Sequence, residues 1–167
     1  DGNDNVHHVP LEYVSIQSAI DASSDGDTVF VSAGTYYESI NLSDKSIVLI
    51  GEDKDLTIID AINENSRVVS FDNPDNIEPM SEIRNFTIRN GNHGGSGSGI
   101  YVYYGNLIME SLIVEDNNTN EWGGGIHIQS SVGSIINNVI IRNNSSEISG
   151  GAISINSSNP IIKNSLI

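Results

Sequence analysis

The chain has 167 residues, no cysteine, and a formal net charge of -15 from 22 acidic and 7 basic side chains. That length suits one domain with a continuous core, and the missing thiols exclude a disulfide framework and cysteine chemistry. The dispersed negative charge opposes nucleic acid and anionic lipid, no apolar run reaches the roughly 18 residues of a membrane span, and Ca²⁺ is admissible because carboxylates are hard oxygen ligands.

Residues 1–9 read as a polar tail, in which His7 and His8 would bind metal only adventitiously. Residues 10–24 read as a helical cap. Ile16, Ala19 and Ile20 fall at i, i+3 and i+4 behind Ser15, a favoured N-cap residue, and Gly26 closes the segment. Short alternating runs follow at 28–32 (TVFVS), 38–42 (ESINL), 46–50 (SIVLI) and 56–60 (LTIID), separated by Gly-, Asp- and Ser-rich turns, and these read as strands. Between them Glu52-Asp53-Lys54-Asp55 reads as a solvated turn that could touch Ca²⁺ but lacks a cation-loop pattern.

From residue 81 onward the chain repeats. EIRNFTIRN (82–90), IMESLIVED (108–116), IINNVIIRN (135–143) and IIKNSLI (161–167) place Asn85, Ser111, Asn138 and Asn164 at spacings of 26, 27 and 26. GSGIYV, GGGIHI and GGAISI recur in step, with Ile100, Ile126 and Ile153 at spacings of 26 and 27. A unit of short strands and Gly/Asn/Ser turns cannot bury its apolar face alone. Units of this kind stack, each strand pairing with its equivalent about 4.8 Å away, into a parallel β-solenoid. The composition agrees, with 26 Ile for strands and 21 Asn and 16 Gly for turns.

Alternation, with a bend near Asn85, points Ile83, Phe86 and Ile88 inward, together with their equivalents and the pairs Ile100/Val102, Ile126/Ile128 and Ile153/Ile155. Outward columns follow. Arg89/Glu115/Arg142 and Arg84/Glu110/Asn137/Lys163 alternate in charge and read as structural ladders, while Asn90/Asp116/Asn143 read as turn formers or an amide ladder. Thr87, Ile113, Ile140 and Leu166 form an outward column that is mostly apolar. Either its phase is misread or something covers it, and Ile113, Ile140 and Leu166 are candidates for self-association.

Tyr101/His127/Ser154 and Tyr103/Gln129/Asn156 form two further outward columns, and the single Trp, Trp122, lies in a loop beside Glu121. Stacked aromatic and polar groups suit sugar rings, so Tyr101, Tyr103, Trp122, His127 and Gln129 are the candidate ligand-binding residues. Glu115, Asp116 and Glu121 could supply a carboxylate pair for glycoside cleavage, whose separation sequence does not fix. Asn92-His93-Gly94-Gly95 reads as a flexible turn. Ile167 stops in mid-strand without a polar cap, which implies a further coil from the same chain or end-to-end contact with a neighbour.

The string Tyr13-x-x-Ile16-Gln17-x-Ala19-Ile20, Gly26-Asp27, Ala33-Gly34-Thr35-Tyr36-x-Glu38 and Leu49-x-Gly51 resembles the opening of the pectin-lyase-like β-helix superfamily. The GGGI and IxNxxI units resemble repeats of large bacterial surface proteins. The resemblance implies an all-β, right-handed parallel β-helix (solenoid) with a short N-terminal capping α-helix, formed by one domain over residues 10–167 of a secreted or cell-surface protein. It does not single out an activity. The DFIFG-like motif of pectinesterases, the NTD, Gly-His-Gly and Arg-x-Lys motifs of polygalacturonases, and the Arg–Pro motif of pectate lyases have no complete counterpart here. Three functions stay open. The first is a carbohydrate-binding, adhesive or structural module. The second is a polysaccharide lyase, hydrolase or epimerase, and the third a self-assembling fibre or surface-layer subunit. The partners that follow are a polysaccharide or, by lateral or end-to-end contact, another copy of the chain.

Overall fold

Strands too short to form a sheet within one repeat must pair with the next, so the fold is a stack of turns. A computed structural model describes residues 5–43, 45–62, 65–73 and 80–167. Strand β1 (Val6–Val9) and helix α1 (Ile16–Ala22) precede the first full turn, β2 (Thr28–Val31), β3 (Gly34–Tyr36) and β4 (Ile40–Asn41). The second turn is β5 (Val48–Gly51), β6 (Thr57–Asp60) and β7 (Val69–Asp72). The third is β8 (Met80–Arg84), β9 (Thr87–Arg89), β10 (Asn92–His93) and β11 (Ile100–Tyr103). The fourth is β12 (Asn106–Glu110), β13 (Ile113–Glu115), β14 (Asn118–Thr119) and β15 (Ile126–Gln129). The fifth is β16 (Ile135–Asn137), β17 (Ile140–Arg142), β18 (Ser145–Ser146) and β19 (Ile153–Asn156), and β20 (Ile161–Lys163) opens a sixth.

All pairings among these strands are parallel. The strands line up into sheets β1-β2-β5-β8-β12-β16-β20, β3-β6-β9-β13-β17, β10-β14-β18 and β4-β7-β11-β15-β19. This is the expected parallel β-helix. The repeat register also holds, since Ile100 pairs with Ile126 and Ile126 with Ile153. The core is the inward column set, with Ile83, Phe86, Ile88, Ile100, Val102 and their upper equivalents buried as far as Ile141. Each such aliphatic side chain contributes about 1.5–3 kcal/mol.

Turns between sheets need residues that accept positive φ. Asn85, Ser111, Asn138 and Asn164 supply it at the first corner (φ 61, 52, 55 and 53), and Asn90, Asp116 and Asn143 at the second (61, 55 and 56). The second column is thus made of turn formers. The amide ladder lies one residue further on. There Asn117, buried inside the solenoid, accepts from the Gly91 N–H at 2.8 Å and donates to Asn144 Oδ1 at 2.9 Å.

The opening motif has a mechanical reason. Helix α1 buries Ile16, Ala19 and Ile20 over the first turn, with Ser15 and Ser18 forming a capping box. The Glu38 carboxylate accepts from the Ile16 and Gln17 N–H groups at 2.9 and 3.0 Å, and Lys45 Nζ donates to the carbonyls of Ile20, Asp21 and Ser23. Both ends of a short helix are therefore satisfied from the turns that follow. Gly51 is required because a Cβ there would lie 2.1 Å from the Asn85 carbonyl oxygen.

Two expectations are corrected, and the choice left open for one column is resolved. Residues 6–9 are not tail: β1 pairs with β2, and His7 bridges Tyr13 Oη and Asp27 Oδ2 at 3.0 Å each. Asn92-His93 is not turn, because it pairs with Asn118-Thr119. The column Thr87/Ile113/Ile140/Leu166 does project outward, but its lower members are covered. Thr87 donates to the Lys54 carbonyl, Ile113 is 5% exposed between Thr87 and Ile140, and only Leu166 at the top is widely open at 68%.

Candidate functional site

Outward side chains of a parallel sheet stack at the inter-strand spacing, so equivalent residues of successive turns make a continuous column. On the sheet containing β7, β11, β15 and β19 the register places Ser70, Tyr101, His127 and Ser154 in one column, and Asp72, Tyr103, Gln129 and Asn156 in the next. The Tyr101 and His127 rings lie almost parallel (8°) with centroids 5.8 Å apart. Tyr103 stacks beside Tyr101 at 6.0 Å and meets Tyr104 edge-on at 4.4 Å.

One wall of the site is built by the segments that lead into these strands. Positive-φ glycines Gly97, Gly123 and Gly150 let each segment turn tightly into its strand. The wall carries Ser96, Glu121 and Trp122. Trp122 bridges to Ser149 of the next turn, and the residue is 42% exposed. Glu121 Oε2 accepts from Ser96 Oγ at 3.0 Å. Arg67 reaches across from just before β7. Its Nε donates to the Ser96 carbonyl at 2.8 Å, and its guanidinium carbon lies 3.9 Å from the Tyr101 ring centroid. That cation–π contact contributes about 0.5–2 kcal/mol.

Together these residues enclose a groove of about 560 Å³, lined by Arg67, Ser96, Tyr101, Glu121, Trp122, His127, Gln129 and the Ser154–Asn156 strand, among others. A second depression of about 220 Å³, over β4 and β7, shares Arg67 and adds Ser39, Asn41, Ser66, Ser70 and His93. Four of the five candidates from sequence, namely Tyr101, Trp122, His127 and Gln129, line the main groove. Tyr103 flanks it through its stack on Tyr101.

Burial sets the charge states. It lowers the His127 pKa from the ordinary imidazole value, and the Arg67 cation lowers it further against opposing effects from Gln129 and Glu121. His127 is therefore neutral at pH 7. Its Nε2 lies 3.4 Å from Gln129 Oε1, and its Nδ1 is buried without a hydrogen-bond partner among the described residues. Burial raises the Tyr101 pKa and Arg67 only partly offsets it, so the phenol stays protonated. Burial also lowers the Arg67 pKa, opposed by Tyr101, Asp72 and Glu121, and the guanidinium remains charged.

The possible carboxylate pair does not assemble here. Glu115 is bound to Arg142 at 2.6 Å on a different sheet and Asp116 occupies the second corner, so of the three only Glu121 lines the groove. Among the described residues no three His, Cys, Asp or Glu side chains converge on a metal position. Two of the three carboxylates of the acidic turn at 52–55 accept from backbone. Glu52 accepts from the Ala33 N–H and Asp53 from the Asp55 N–H, both at 2.8 Å. Arg67 escaped sequence reading because 31 residues separate Val69 from its ladder partner Ile100, against 26 and 27 in later turns.

A family model described as rhamnogalacturonase A/epimerase, pectate lyase-like, matches residues 12–167. Among solved structures, a pectin methylesterase variant in complex with a hexasaccharide aligns with a TM-score of 0.58 at 11% identity, over 96% of this chain and 61% of that one. Another pectin methylesterase–hexasaccharide complex gives a TM-score of 0.49 at 12% identity, over 98% of this chain and 67% of that one. At such identities the likeness is one of fold, and the chain spans about three fifths of the first of these structures. A search of curated protein sequences finds no match. With five complete turns of parallel β-helix and a family match over residues 12–167, this chain belongs to the rhamnogalacturonase A/epimerase, pectate lyase-like family.

Proposed function

We propose that this chain is a secreted or cell-surface β-helix module that binds polysaccharide in the groove over β11, β15 and β19. The observation that carries this reading is the composition of the groove wall. The exposed Trp122 lines it together with the half-buried Tyr101 and the buried His127, among hydrogen-bonding groups from Arg67, Ser96, Glu121, Gln129 and Asn156. Sugars present apolar C–H faces and hydroxyl edges, and aromatic planes beside donors and acceptors match both. The groove has the volume of a small-molecule site and lies open on the solenoid flank, so a polymer can lie in it without threading. The pectin methylesterase of similar fold is seen with a hexasaccharide bound, which supports an oligosaccharide ligand. A polymeric glycan ligand also fits a protein working outside the cell.

Titration of oligosaccharides into the protein tests the reading. Tyr101→Ala and Trp122→Ala should each weaken binding about 10- to 30-fold, the loss of a groove-lining aromatic side chain worth about 1.4–2 kcal/mol. Unchanged affinity in both variants rejects this groove.

Family membership favours a second reading, a polysaccharide lyase, hydrolase or epimerase, with Glu121 as the groove's candidate acid or base. New reducing ends, or unsaturated products, that vanish in Glu121→Gln would move this reading to first place. Self-association through Ile113, Ile140 and Leu166 has less support, because Ile113 is buried within its own column.

A further inference from the structure

We infer that the groove takes a neutral, hydroxyl-rich polysaccharide and discriminates against polyuronates and other polyanions. The inference rests on the reading of the groove as a saccharide site and adds the ligand's charge class. It follows from where the few cations are. Of the seven Lys and Arg side chains in the sequence, six lie away from the groove. Lys45 caps the C-terminal end of α1, and Lys54 lies in the acidic turn after β5. Arg84, Arg89 and Arg142 pair with Glu82, Asp60 and Glu115 on the other sheets, and Lys163 ends β20 in the Arg84 column.

Only Arg67 reaches the groove, and its charge is answered there. The guanidinium lies on the Tyr101 face, its Nε is held by the Ser96 carbonyl, and Glu121 shares the same wall through Ser96 Oγ. His127 adds no positive charge, because burial keeps it neutral. The described residues lining the groove thus sum to about zero charge, within a molecule of formal charge -15. A ligand carrying a carboxylate on each sugar would meet one already-balanced cation and a repulsive field extending about 8–10 Å at ordinary ionic strength. A neutral glycan meets none of that repulsion. The second depression extends the same chemistry, with hydroxyls of Ser39, Ser66 and Ser70, the Asn41 amide and the His93 imidazole continuing past Arg67.

The test is a titration of the intact chain with soluble neutral glucan and galactan, and with polygalacturonate. Each is measured at about 0.01 M salt, where charge acts over about 30 Å, and at about 1 M, where it acts over about 3 Å. The expected result is a neutral chain bound at least ~10-fold more tightly than polygalacturonate at low salt, with affinity nearly independent of salt. Polygalacturonate affinity should rise as salt rises, and should rise at low salt in Glu121→Gln, which keeps an acceptor for Ser96. Polygalacturonate bound more tightly, with affinity falling as salt increases, overturns the charge assignment and leaves the saccharide site standing. No binding of any glycan at either salt overturns the saccharide site and this inference together.

Discussion

The amide of Asn117 offers the sharpest test of how the turns are held together. It lies within the solenoid, 1% exposed. It accepts from the Gly91 N–H in the turn below at 2.8 Å, and donates to the Ile88 carbonyl at 3.2 Å and to Asn144 Oδ1 in the turn above at 2.9 Å. Replacing it by Ala leaves the Gly91 N–H without its acceptor in a closed interior and weakens the satisfaction of the other two groups. A buried polar group stripped of its partner costs about 1–3 kcal/mol, so Asn117→Ala should cost about 2–5 kcal/mol. That is a large share of the roughly 5–15 kcal/mol that stabilises a domain. Urea denaturation followed by circular dichroism and by Trp122 fluorescence measures it, and agreement of the two probes checks that the turns unfold together. Asn120→Ala, at an exposed position a few residues away, should stay within about 0.5 kcal/mol. A cost below about 1 kcal/mol for Asn117→Ala would refute the claim that the inner amides tie successive turns.

Gly51→Ala should destabilise by more than about 2 kcal/mol, because its Cβ would have to displace the Asn85 backbone; an unchanged denaturation midpoint would remove that steric argument. Lys45→Ala should cost about 1–2 kcal/mol by exposing the three helix-end carbonyls it now satisfies, read in the same denaturation experiment. Asp27 is held down to about 2 by hydrogen bonds from the Ser24 and Asn5 N–H groups and from His7. A carboxylate depressed below its unfolded value stabilises the fold above that value, near pH 4, and ceases to do so as pH falls through about 2. Asp27→Asn should therefore flatten the acid limb of the stability profile between about pH 4 and pH 2, and a profile of unchanged steepness would assign that limb to other groups.

Repetition made most of the fold legible. A column such as Ile100/Ile126/Ile153 recurs because each residue packs on its equivalent, so the period in the sequence is one turn of the solenoid counted in residues. The corners were readable for a related reason, since three of the four residues Asn85, Ser111, Asn138 and Asn164 are Asn, which tolerates positive φ. Where the period breaks, legibility ended. Strand β7 and Arg67 lie 31 residues before their equivalents, so the residue that covers Tyr101 fell outside every aligned block. Strand β1 carries two histidines in four residues, and its strand character comes from pairing with β2 and from the His7–Asp27 contact, neither of which is local. The site was legible by column but not by wall. Alternation put Tyr101 and His127 on one face, whereas bringing Trp122 and Glu121 against that face depends on how the 120–125 segments stack.

Hydrogen–deuterium exchange with and without a bound neutral oligosaccharide locates the ligand on the solenoid without relying on a variant. Slowed exchange is expected in residues 95–103, 121–129 and 149–156, which build the groove floor and wall, with β9, β13 and β17 unchanged. Slowed exchange confined to 87–89, 113–115 and 140–142 would place the ligand on the β9–β13–β17 sheet and rule out the groove.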